Sequence, residues 1–83
     1  MEKTHSIEKL VTFITENYMV ERDEVPLDRS LIDEGIIDSF GLIEIAGFLE
    51  STFGIQIKDE DMIRENFGSV IKMIDFAERK QQS

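Results

Sequence analysis

Residues 31–54 read Leu-Ile-Asp-Glu-Gly-Ile-Ile-Asp-Ser-Phe-Gly-Leu-Ile-Glu-Ile-Ala-Gly-Phe-Leu-Glu-Ser-Thr-Phe-Gly. The first part is loop-like and carries Gly35. From Ser39 onward the apolar residues fall at helical spacing, with Leu42, Ile45, Ala46, Leu49 and Phe53 on one stripe. Gly54 stands where a left-handed residue would end a helix. The segment therefore predicts a helix over 39–53, entered from a loop. Ser39 sits at the junction, directly after Asp38 and with no catalytic partner nearby. A helix N-terminus offers unpaired N–H groups and the positive end of a dipole, a setting that favours a phosphate or phosphodiester on that serine.

Phe40, Ile43, Glu44 and Gly47 point away from the inward stripe. Two readings of the apolar members stand side by side: a patch for docking a partner, or part of a wide buried arc. Phe48 is equally open to both. Gly41 and Gly47 each weaken the helix by roughly 1 kcal/mol relative to alanine. They are either sites of close approach or tolerated defects.

N-terminal to this segment, Ile7, Leu10, Val11, Ile14 and Tyr18 form one stripe and predict a helix from about Ser6 to Tyr18, with Ser6 as N-cap. Phe13 lies off that stripe and is set to cover a neighbouring loop. A connection of about 20–38 follows, with the single proline, Pro26. A loop this long in so small a domain needs pinning. Val25, Leu27, Leu31, Ile32, Ile36 and Ile37 are the residues to do it. C-terminal to the segment, a short helix is expected over about 59–64, with Asp59 as N-cap and Met62 and Ile63 turned inward. Phe67 is expected in the core. Ser69 then caps a last helix over about 70–79 that buries Val70, Met73, Ile74 and Ala77. The tail from Arg79 to Ser83 is expected to fray. Only Ile55-Gln56-Ile57 alternates, which is too short for a sheet. The expected fold is all-α: a small antiparallel four-helix bundle, three main helices and one short one, with a long first loop. It forms one domain over residues 1–83 with its core at about 7–77, and the short polar tails suit a discrete protein.

The composition narrows the chemistry. There is no cysteine, so disulfides and thiolate metal sites are excluded, and any thiol must arrive on a cofactor. The single histidine, His5, lies near a terminus expected to be mobile, a poor anchor for a catalytic triad. With 9 basic and 18 acidic residues the net charge is −9. That argues against nucleic acid and anionic membranes and favours partners with basic patches. No apolar run is long enough to span a bilayer. Asp59, Asp61 and Glu65 could begin a calcium loop, but Arg64 stands where that turn needs glycine and Val70 where it needs glutamate. No metal site is expected.

Asp38-Ser39-Phe40, preceded by Gly35-Ile36-Ile37, resembles the signature of the acyl carrier protein family, including the peptidyl and aminoacyl carriers. Leu49-Glu50, Phe53-Gly54-Ile55, Asp59-Glu60-Asp61, Asn66-Phe67 and Ser69-Val70 extend the likeness over roughly Ile7 to Ala77. The resemblance implies that Ser39 carries 4′-phosphopantetheine from coenzyme A, placed there by a phosphopantetheinyl transferase with magnesium. The chain would then be a substrate rather than a catalyst, with no catalytic residues of its own. The thiol of the arm would hold acyl or aminoacyl groups as thioesters in fatty-acid, polyketide or related biosynthesis. Asp38 would help the transferase engage the site, an N-cap role being equally compatible. The partner face would comprise Phe40, Ile43, Glu44, Gly47 and Glu50. Glu44 and Glu50 match acidic positions of fatty-acid carriers, whereas Gly41 and Ser51 fall where those carriers often have acids, and Phe40 replaces the usual leucine. An aminoacyl or peptidyl carrier of a nonribosomal or cell-envelope pathway is the alternative cargo class. An unmodified acidic adaptor for a basic helix is the alternative of a different class. A cytoplasmic monomer is expected.

Overall fold

A computed structural model describes residues 3–82. Four α-helices occur among them: α1 (Lys3–Tyr18), α2 (Ser39–Phe53), α3 (Arg64–Phe67) and α4 (Val70–Gln82). Two 3₁₀ turns, Arg22–Glu24 and Asp59–Asp61, punctuate the connections, and the described residues contain no strand. The architecture is the all-α bundle that the periodicities predict.

α4 is the helix on which the others close; α1, α2 and α3 all pack against it. Its Val70, Met73, Ile74 and Ala77 recur at i, i+3, i+4 and i+7 and are fully buried. Leu10 and Ile14 of α1 and Ile45 and Leu49 of α2 meet them, each with no exposed surface. Phe67 and Phe76 pair with ring centroids 5.5 Å apart and bind α3 to α4. Ser69 caps α4 as expected, its hydroxyl accepting from the Lys72 amide at 3.1 Å. Phe76 belongs to the core and falls outside the stripe read from the sequence.

Several boundaries differ from expectation. Ser6 is no cap: α1 already includes Lys3, three residues earlier, which is ion-paired to Asp75 of α4. Ser6 lies instead on the inward face one turn before Leu10, buried, with its hydroxyl unpartnered among the described residues. His5 is likewise helical rather than part of a loose terminus. Phe13 packs against a helix: it stacks on Phe48 of α2 with centroids 4.5 Å apart. An α-helix wedged between two neighbours carries two apolar stripes, and Phe13 belongs to the second.

The long connection is pinned by Val25, Leu31 and Ile37, all buried, with Ile36 half-buried. Leu27 and Ile32 stay 41% and 42% exposed, so they do not serve as anchors. The backbone does that work near Leu27, whose carbonyl accepts the Ile71 amide at 3.0 Å. The amides of Ile36 and Ile37 both turn back to the Leu31 carbonyl.

The short helix is displaced. Residues 59–61 form a 3₁₀ turn preceded by Lys58, not an α-helix capped by Asp59. Ile63 is extended (φ −117°, ψ 161°), which resets the helical phase before α3. It is consequently 46% exposed rather than turned inward, while Met62 packs half-buried against the core. Asp61 fastens this turn: its carboxylate accepts the Lys58 amide at 3.0 Å and pairs with Lys80 at 3.1 Å. Those partners hold the Asp61 carboxyl below the usual carboxylate range. The same contacts explain why α4 runs past Arg79. Lys80 grips the turn and the Gln81 side chain donates to the Phe53 carbonyl at 3.1 Å, so residues 79–82 stay helical. Ser83, the end of the expected frayed tail, lies outside the described residues.

Candidate functional site

The start of α2 is built by its cap. Asp38 is extended, and its side chain accepts the Gly41 amide at 2.9 Å while its carbonyl accepts the Leu42 amide at 3.1 Å. This satisfies two of the first helical donors. The amides of Ser39 and Phe40 have no intrahelical acceptor by helix geometry. Ser39 is the first helical residue and its side chain is exposed. At the other end, Gly54 adopts φ 65° and returns its amide to the Glu50 carbonyl, so α2 spans the predicted residues.

Ser39 opens onto a groove of about 610 Å³. Ile43, Gly47 and Glu50 line it from α2, with Ile57, Asp59 and Met62 on the opposite wall. That wall was not foreseen, because the phase of residues 57–62 depends on the 3₁₀ turn. Glu50 is half-buried, its carboxylate accepting the Ile57 amide at 2.8 Å, so it also holds the groove's far wall in place. Phe40 and Ile43 are 77% and 61% exposed, which removes the core reading for both. Phe48 is half-buried in its stack with Phe13.

Phe40 and Glu44 do not line the groove. Glu44 faces the end of α1, where its carboxylate accepts a hydrogen bond from the Tyr18 hydroxyl. The same hydroxyl lies 3.4 Å from the Gly41 carbonyl. Burial and then the Glu44 hydrogen bond push the Tyr18 phenol well above its ordinary range, so it stays a donor. The sequence marks Tyr18 only as the last member of an apolar stripe. The polar tip of a tyrosine at a helix end is the one signal that could have flagged it.

The two glycines of α2 now separate. A Cβ on Gly41 would lie 2.9 Å from the Ile37 Cβ and 3.2 Å from the Tyr18 hydroxyl oxygen. A Cβ on Gly47 would meet nothing within 4 Å. Gly41→Ala is therefore expected to lower stability by about 1–2 kcal/mol, the overpacking outweighing the gain in helix propensity. Gly47→Ala should instead raise it by roughly 0.5–1 kcal/mol. Thermal melts of the two variants check the opposite signs.

The site suits an exposed phosphodiester-linked group: a free hydroxyl, two open amides at a helix start, and a groove beginning at that hydroxyl. Comparison with known proteins agrees. Residues 8–77 match the family model described as a phosphopantetheine attachment site. The chain is 31% identical over 78 residues to D-alanyl carrier proteins of Streptococcus pyogenes serotype M5 (strain Manfredo), serotype M49 (strain NZ131) and serotype M1. Each alignment covers 94% of this chain and 99% of the relative. The carrier fold, the attachment module and full-length relatives coincide in one chain, which belongs to the phosphopantetheine-binding carrier protein family.

Proposed function

We propose that Ser39 is the residue that carries 4′-phosphopantetheine and that the cargo is an amino acid. The observation that carries the first part is the exposed Ser39 hydroxyl at the first position of α2, directly after its Asp38 cap. In the modification, the Ser39 oxygen bonds to the phosphorus bearing pantetheine. The pyrophosphate bond of coenzyme A breaks and the adenosine bisphosphate leaves. The hydroxyl proton passes to a base of the transferase, since Asp38, the acid directly before Ser39, is already engaged as the cap of α2. Asp38 orients the first turn through one carboxylate oxygen and leaves the other for the transferase and its magnesium. When attached, the arm supplies a terminal thiol that holds a carboxylic acid as a thioester. Phe40, Ile43 and Glu44 flank Ser39, so an enzyme that grasps the serine meets them, while Gly47 and Glu50 lie further along the groove.

The amino-acid cargo rests on the relatives, which are D-alanyl carriers. It is also favoured by the α2 face. Ser51 leaves that face one acid short of the fatty-acid carriers, Gly41 being buried against Ile37 and Tyr18, and the Glu50 carboxylate is partly occupied by the Ile57 amide. A fatty-acid carrier is the second reading, favoured by the apolar groove walls Ile43, Ile57 and Met62. On this reading the chain works in the cytoplasm and as a monomer. The loaded form recovered from its native cell should show the mass of one arm plus one amino-acid residue. An arm plus a fatty acyl chain would support the second reading, and an unmodified chain would point to an adaptor.

A further inference from the structure

We infer that Tyr18 is a positioning residue for modification of the carrier, acting through Glu44; the inference rests on Ser39 being the modified serine. Tyr18 is the last residue of α1, and the chain leaves it through Met19 in a left-handed conformation (φ 54°). That placement brings the hydroxyl against the first turn and a half of α2. There it donates to Glu44 Oε1 and lies 3.4 Å from the Gly41 carbonyl. Gly41 is the residue whose amide the Asp38 cap engages. One hydroxyl thus touches two groups on the helix that bears Ser39, one of them an exposed carboxylate next to the serine's turn.

An exposed glutamate normally samples several rotamers, and a partner that engages it must fix them at an entropic cost. Tyr18 removes much of that cost in advance. It holds one carboxylate oxygen and leaves the second for a basic group of an incoming enzyme. The space for the tyrosine exists because residue 41 lacks a side chain; a Cβ there would crowd the phenol oxygen at 3.2 Å. Glycine at 41, tyrosine at 18 and glutamate at 44 therefore form one device. Burial supports the direction of the bond, since it keeps the phenol protonated.

The test measures transferase kinetics with coenzyme A on the intact chain and on Tyr18→Phe, Glu44→Ala and the double variant, at low and high salt. Tyr18→Phe keeps the ring and removes only the hydroxyl. It should raise KM for the carrier by roughly 3- to 10-fold at low salt, leave kcat and Tm near the parent, and lose its effect at high salt as the Glu44 charge is screened. In the Glu44→Ala background, Tyr18→Phe should change nothing further. An unchanged KM, an equal effect with Glu44 absent, or a loss confined to Tm would overturn the assignment. A parent that gains no arm, or a Ser39→Ala variant that does, would instead overturn the Ser39 reading, and the role of Tyr18 with it.

Discussion

Phe67→Ala is expected to remove most of the chain's stability at room temperature. Phe67 is 5% exposed, anchors α3, and pairs its ring with Phe76 of α4. Truncating a buried phenylalanine costs roughly 3–5 kcal/mol, and losing the aromatic pair adds to it. A domain of this size has only about 5 kcal/mol to lose at the low end of the usual range. Phe53→Ala should behave alike, because Phe53 is equally buried and its carbonyl receives the Gln81 side chain of α4. Circular dichroism at 222 nm with urea titration checks both. A Phe67→Ala variant with the parent's midpoint would contradict the packing described.

Ser39→Ala is expected to abolish arm attachment completely while leaving the fold intact. The side chain is exposed and the cap belongs to Asp38, so the alanine removes a nucleophile and nothing that α2 needs. Surface substitutions of this kind usually shift stability by less than about 0.5 kcal/mol. Intact mass after incubation with coenzyme A and a broad-specificity transferase reads the loss, and the far-ultraviolet spectrum confirms the fold.

What the sequence discloses here follows from how local each signal is. α2 was legible to the residue because both of its ends carry strong local markers, Asp38 before it and Gly54 after it. Helical phase set Phe40 and Ile43 off the inward stripe but left a wide buried arc open, and their exposure in the structure decides for the surface. α1 was harder, since a serine is equally at home as a cap or as a small buried residue. Ser6 is the latter because Leu10 and Ile14 draw its face inward. Ile63 was misplaced because a 3₁₀ turn and an extended residue interrupt the period between Asp59 and Arg64. The link of Tyr18 to Glu44 spans 26 residues. The opposite wall of the groove, Ile57 to Met62, likewise faces α2 only in three dimensions. Neither leaves a periodic trace along the chain.

The decisive measurement is peptide-level mass spectrometry of the unmutated protein after exposure to coenzyme A and transferase. One phosphopantetheinyl group, located on Ser39 within the peptide that contains Asp38 and Phe40, is the predicted result. A group on any other serine, or a folded protein that takes none, would contradict it.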